Sequence, residues 1–124
     1  AVTIASEAEA EAGTNNTKVM TPLRTADAIN ALALGSGQSW STVSRSQGNW
    51  YQNTTGRPIL VAITFQGRYG RIYISSTASG GVNISGGSPG AQDVNSRPVH
   101  TFIVPAGQYY KPDNAPVDRA AELK

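Results

Sequence analysis

The chain has 124 residues, with 10 Lys and Arg against 8 Asp and Glu for a formal net charge of +2, and 15% charged residues in all. It holds no cysteine and a single histidine, His100; this excludes a disulfide framework, a thiolate metal site, a cysteine nucleophile and a multi-histidine zinc centre. No apolar run reaches the roughly 18–20 residues that span a bilayer, and acidic and basic residues are mixed, without the basic block that tracks a phosphate backbone.

Leu, Ile, Val and Phe together make up about 19% of the chain, near the level where disorder sets in, but disorder also asks for a high net charge. A modest core is therefore expected, with extra stability gained by burying surface between subunits. The N-terminal AVTIASEAEAEAG has neither the basic nor the apolar region of a signal peptide. A start without Met is expected of a processed chain or a fragment.

Composition divides the chain near Gly35, into a neck over 1–35 and a β-domain over 36–124. In the neck, Ser6 is placed to cap a short helix over EAEAEA, with Glu7 and Glu9 in its first turn and Gly13 at its end. GTNNTKVM reads as a turn and an extended connector. Thr21 caps a second helix with Pro22 at its first position. That helix is expected to run through LRTADAINALAL, with Ala26, Ile29, Leu32 and Ala33 on one stripe and Gly35 as its stop. About 13 residues with so thin a stripe are marginal alone in water, so the helix needs the β-domain or copies of itself. Lys18 and Arg24 are expected to pair with Glu7, Glu9 or Glu11 of a neighbouring chain.

Beyond Gly35 the pattern changes to short strands. SWSTVSRS and NWYQNTT read as a hairpin around Gln47-Gly48. RPILVAITF alternates Ile59, Val61, Ile63 and Phe65 with period two, and Leu60 and Ala62 make its other face partly apolar, as in a central strand. A tight hairpin at Gly67–Gly70 leads into RYGRIYIS, with Ile72 and Ile74 on one face and Arg71, Tyr73 and Ser75 on the other. Val82 and Ile84 mark a short strand between glycine turns, and RPVHTFIVP another. Pro105-Ala106-Gly107 suits a type I turn, with Pro second and Gly fourth. One of Tyr109 and Tyr110 faces in and one out. Residues 111–124 read as a polar tail. Five to seven strands separated by turns predict a mainly β fold: a helical neck followed by a small antiparallel β-sandwich.

Gly13, Thr14, Asn15, Asn16, Thr17, Lys18 and the run Thr21, Pro22, Leu23, Arg24 follow a pattern that recurs in tail fibre proteins of tailed bacteriophages. Residues 9–29 resemble that segment. The remainder resembles, more loosely, the small β-rich domains that end such fibres, through Tyr51, Asn53, Thr54, Gly56, Arg57, Pro58 and later Val104, Pro105, Gly107 and Tyr109. Members of that family often finish in a Trp-containing strand, whereas this chain ends in VDRAAELK. The resemblance implies a homotrimeric fibre segment in the virion, joined to other tail fibre proteins, whose distal domain meets a glycan or lipopolysaccharide on the host. Leu23, Ile29 and Leu32 then form the trimer neck. The alternative left open is a structural connector or cap without receptor contact.

Candidate receptor residues are those able to stack on sugar rings or grip their oxygens. Arg68, Tyr69 and Arg71 sit at the turn, where binding residues gather and Arg holds anions in a two-pronged grip. Trp40 offers a ring face, and the Gly/Ser/Asn-rich loop 85–98 contributes Asp93 and Asn95. Trp50 reads as a core or subunit-interface residue. His100 reads as an ordinary strand residue; a three-fold axis through it would bring three imidazoles to one metal ion, and otherwise no metal and no cofactor is expected. The domain up to Tyr110 has one acid, Asp93, and neither a nucleophile elbow nor a phosphate loop, so the chain reads as non-catalytic, without a nucleic-acid partner and without membrane insertion.

Overall fold

The computed structural model describes residues 2–67, 69–85 and 97–124. The neck begins with helix α1 (Glu7–Ala12), closed at its start by a capping box. Ser6 Oγ accepts from the Glu9 amide at 3.3 Å, and the Glu9 carboxylate accepts from the Ser6 amide at 2.9 Å. Gly13, at φ 65, ends the helix by donating its N–H to Glu9 O. Asn15 Oδ1 then accepts from the amides of Thr17 and Lys18 at 2.9 and 3.2 Å, which turns the connector back along α1. Val19 and Ile4 form a parallel bridge.

Because of that turn, Lys18 meets Glu9 of its own chain, at 2.7 and 2.9 Å to the two carboxylate oxygens. Arg24 pairs with Asp27 one helical turn on, at 2.9 Å. The pairing expected between neighbouring chains is thus made within one. Helix α2 (Pro22–Leu32) starts as the sequence indicates, with Thr21 Oγ1 accepting from the Arg24 amide. It stops short of Gly35, because Ala33 is already extended at φ −77, ψ 141.

Eight strands follow: β1 (Trp40–Thr42), β2 (Tyr51–Gln52), β3 (Ile59–Phe65), β4 (Arg71–Ser75), β5 (Val82–Ser85), β6 (Val99–Val104), β7 (Tyr109–Asp113) and β8 (Val117–Leu123). They form two antiparallel four-stranded sheets, β1-β8-β3-β6 and β2-β7-β4-β5. The mainly β expectation holds. β3 lies between β8 and β6, and its Ile59, Val61, Ile63 and Phe65 are at most 1% exposed. With Phe102, Val104 and Ala120 of the same sheet they share one core with Ile72 and Tyr110 of the other. The Phe102 and Tyr110 rings meet edge to face at 5.5 Å. At about 25 cal/mol per Å² of apolar surface removed from water, such a cluster supplies the main driving force.

Four expectations are corrected. The segments around Gln47-Gly48 are not a hairpin: β1 pairs with β8 and β2 with β7, in different sheets. Strands of three and two residues make too few bonds to hold each other, and each joins a longer strand from the chain's end. The turn after Phe65 is likewise no hairpin, since β3 and β4 belong to different sheets. The turn after Val104 closes one residue later than expected, by Gln108 N–H donating to Pro105 O at 3.1 Å. Gly107 is its third residue at φ 77, the sign a type II turn requires there. Residues 111–124 are not a tail: they complete β7 and supply β8, which lies between β1 and β3. Tyr110 is 1% exposed and Tyr109 half-buried, the in-and-out pair expected.

Two polar anchors join these parts. Asn53, 1% exposed, places Nδ2 within 2.7–3.2 Å of the carbonyls of Arg57, Val104 and Pro105. Its Oδ1 accepts from Thr55 N and Oγ1. Arg57 in turn donates to Asn30 O at 2.6 Å and Ser36 O at 2.7 Å, tying the end of the neck to the domain.

Candidate functional site

Strand alternation sends every second side chain of the second sheet away from the core. Ile72, Tyr110 and Pro112 are buried, so Arg71, Tyr73 and Ser75 of β4 and Tyr109, Lys111 and Asp113 of β7 face outward, paired as Arg71–Asp113, Tyr73–Lys111 and Ser75–Tyr109. Asn83 of β5 extends the middle row beside Tyr73. Trp50, just before β2, lies across this face. A Cβ on Gly81 would stand 2.9 Å from its Cη2, so only glycine there leaves the ring its place. Between Trp50 and Tyr73 sits the Lys111 ammonium, 5.2 and 5.0 Å from the two ring centroids, where the ring quadrupoles attract it. Asp113 Oδ2 pairs with it at 3.3 Å.

Arg71 Nε is a buried donor with no acceptor among the described residues. A buried unsatisfied donor costs about 1–3 kcal/mol. The face therefore offers ring surfaces, an ammonium and a guanidinium donor. That inventory suits binding of an oxygen-rich, anionic molecule better than proton transfer, since Asp113 is already engaged by Lys111.

The sequence-derived candidates are only partly brought together. Arg71 lies on this face, and Tyr69 is half-buried just before Gly70. Trp40, 51% exposed, belongs to the first sheet and is not part of the same surface. Arg68, Asp93 and Asn95, with the rest of 86–96, lie outside the described residues. Trp50 is half-buried on the outer face of the second sheet, beside Lys111 and Gly81, and not in the core. Tyr73, Lys111 and Asp113 were missed. The last two sit in the segment read as a tail, where the alternation of Tyr109, Lys111 and Asp113 against Tyr110 and Pro112 was the available signal.

His100 lies on the core side of β6, its ring edge-on to Phe65 at 5.5 Å and 70°. Burial holds its pKa below the usual 6.5. No group of three or more His, Asp or Glu suited to a metal occurs among the described residues. On the inner side of the domain, Arg45 donates Nε–H to the Tyr110 hydroxyl at 2.7 Å, stacks 4.4 Å over the Tyr51 ring and pairs with the nearly buried Glu122. Burial pushes the Tyr110 hydroxyl up to about 12. This group is a structural lock between the sheets.

The neck residues Leu23, Ile29 and Leu32 are 64%, 56% and 48% exposed, and α2 buries no residue. Every Val, Ile, Leu and Met from 2 to 34 is exposed. No helix is long and apolar enough to cross a membrane among the described residues. Comparison with protein-family models, curated proteins and solved structures finds no match.

Proposed function

We propose that this chain is the distal segment of a bacteriophage tail fibre, a non-catalytic virion module that associates as a homotrimer through its neck and binds an anionic glycan on the host surface. The observation that carries the reading is the neck itself. All its large apolar side chains are exposed, although it is capped, ion-paired and tied to the domain by Arg57. A segment with such well-specified ends and no buried stripe is built to be covered by other chains. The resemblance of residues 9–29 to fibre necks supports three copies of the same chain. The ligand class is supported by Trp50, Tyr73, Lys111 and Arg71 on the second sheet, and three such faces per fibre raise avidity without new contacts.

Light scattering on the purified chain is expected to give about 39 kDa, three times the 13.0 kDa of one copy. Binding to host-envelope glycans is expected on an array, with acidic oligosaccharides preferred over neutral ones. Tyr73→Ala and Arg71→Ala are each expected to weaken binding by about tenfold or more. A trimer that binds no envelope preparation would instead be a connector, the reading the neck alone supports equally. A monomer at all concentrations would refute the fibre reading.

A further inference from the structure

We propose that residues 33–38 form a hinge between the neck and the β-domain, and that the Arg57 side chain is the latch that holds this hinge in one orientation. The device is a property of one chain and holds whatever the neck and the second sheet bind. Its first basis is how little apolar surface joins the two parts. The core of the domain draws on residues from Val43 onward. The neck, among the described residues, buries only Ala5 and Ala10. Leu32 and Leu34, at the junction itself, are 48% and 38% exposed. Neck and domain therefore share no apolar core, and a large apolar contact is what makes a junction between two parts of a chain rigid.

The linker between them is built to bend. The chain leaves α2 at Ala33, extended at φ −77, ψ 141. Gly35 and Gly37 follow at φ 90 and φ 66, in the left-handed region that glycine enters without strain. A Cβ on either would meet no atom within 4 Å, so open space surrounds both turns. At Ser39 the chain is fixed again, by exchanging main-chain bonds with Lys124 at 3.2 Å.

Polar side chains alone span the bend. Arg57 Nη1 donates to Asn30 O of α2 at 2.6 Å and to Ser36 O of the linker at 2.7 Å. Gln38 Nε2 donates to Pro58 O at 3.0 Å. Arg57 is itself anchored on the domain side, where its carbonyl accepts from Asn53 Nδ2 at 2.7 Å and Thr55 Oγ1 at 2.9 Å. One guanidinium nitrogen thus ties the helix end, the turn and the domain together. It also meets a need of α2. The last carbonyls of a helix have no partner within it, and that end favours a cation, yet α2 has no basic residue in its last turn. Arg57 supplies donor and charge from the other part of the chain. The bond to Asn30 is exposed, so water competes for it and the latch opens without uncovering apolar surface.

The test uses the full chain, which has no cysteine of its own. Asn16→Cys and Thr101→Cys, both at exposed positions, place one spin label on the neck and one on the domain. Labelled chain is diluted with unlabelled chain, so that each distance belongs to one copy. The parent is expected to give one narrow distance distribution, and Arg57→Ala one about twice as broad or more. Hydrogen exchange is the second measurement. In Arg57→Ala the Ala33 amide, which closes α2 on Ile29 O, is expected to exchange about tenfold faster, while the core amides of Val61 and Ile63 keep their rates. A distribution in Arg57→Ala as narrow as the parent's overturns the latch, as does a parent already as broad as the variant. Faster exchange at Val61 and Ile63 overturns it too, because Arg57 would then support the domain and not the joint.

Discussion

Replacing Asn53 by Ala is the most direct probe of what holds the neck end of the domain together. The substitution removes an amide that reaches three main-chain carbonyls and accepts two bonds from Thr55. The bond to Val104 O is fully buried, so that carbonyl loses its side-chain donor where water does not readily replace it. A net hydrogen bond is worth about 1 kcal/mol and an orphaned buried group costs about 1–3 kcal/mol. The carbonyls of Arg57 and Pro105 are only partly buried and recover part of their loss from water. The sum is about 3 kcal/mol. For a domain of this length that corresponds to a fall in Tm of roughly 10 °C, read by circular dichroism melting. Asn53→Asp keeps the oxygen that Thr55 uses and substitutes an acceptor for the donor; it is expected to be at least as destabilising at neutral pH. A Tm within about 3 °C of wild type for Asn53→Ala, or an Asn53→Asp variant as stable as wild type, would refute the argument that the donated bonds matter.

Gly70→Ala sets a Cβ 2.2 Å from Cγ of Phe65, a side chain with 0% exposure. It is expected to cost roughly 3 kcal/mol, the upper end of overpacking, or to prevent folding, as seen in soluble yield and melting. His100 is harder to protonate in the fold than in the unfolded chain because burial lowers its pKa from 6.5. The unfolded state therefore binds more protons below that pH, and stability falls as pH drops through about 6.5. Urea midpoints between about pH 7 and pH 5 should fall less in His100→Gln than in wild type. Tyr110 has the opposite sign. Its pKa rises from 10.0 to about 12, so stability is fully present below pH 10 and is lost as the unfolded chain ionises between those values. Tyr110→Phe is expected to lessen that alkaline loss while weakening the domain at neutral pH through the missing bond to Arg45.

Local chemistry made the neck legible. Ser6, Gly13, Thr21 and Pro22 mark helix ends because capping is settled within three or four residues, and both helices begin where those residues stand. The central strand was legible too, since Ile59, Val61, Ile63 and Phe65 alternate without interruption. What the sequence left open was decided by distant pairing. β1 and β2 look like neighbours but each depends on a strand from the end of the chain, β1 on β8 and β2 on β7. β8 looked polar because its fully buried positions are Ala120 and Glu122, and an acid reads as solvent-facing until Arg45 is known to meet it. The candidate face has the same origin: Trp50, Tyr73 and Lys111 come together only once β2, β4 and β7 share a sheet. Capping and alternation are short-range and are written in adjacent residues. Strand partnership is long-range and is settled by burial of the whole set, so only the tertiary structure decides which side chains share a surface.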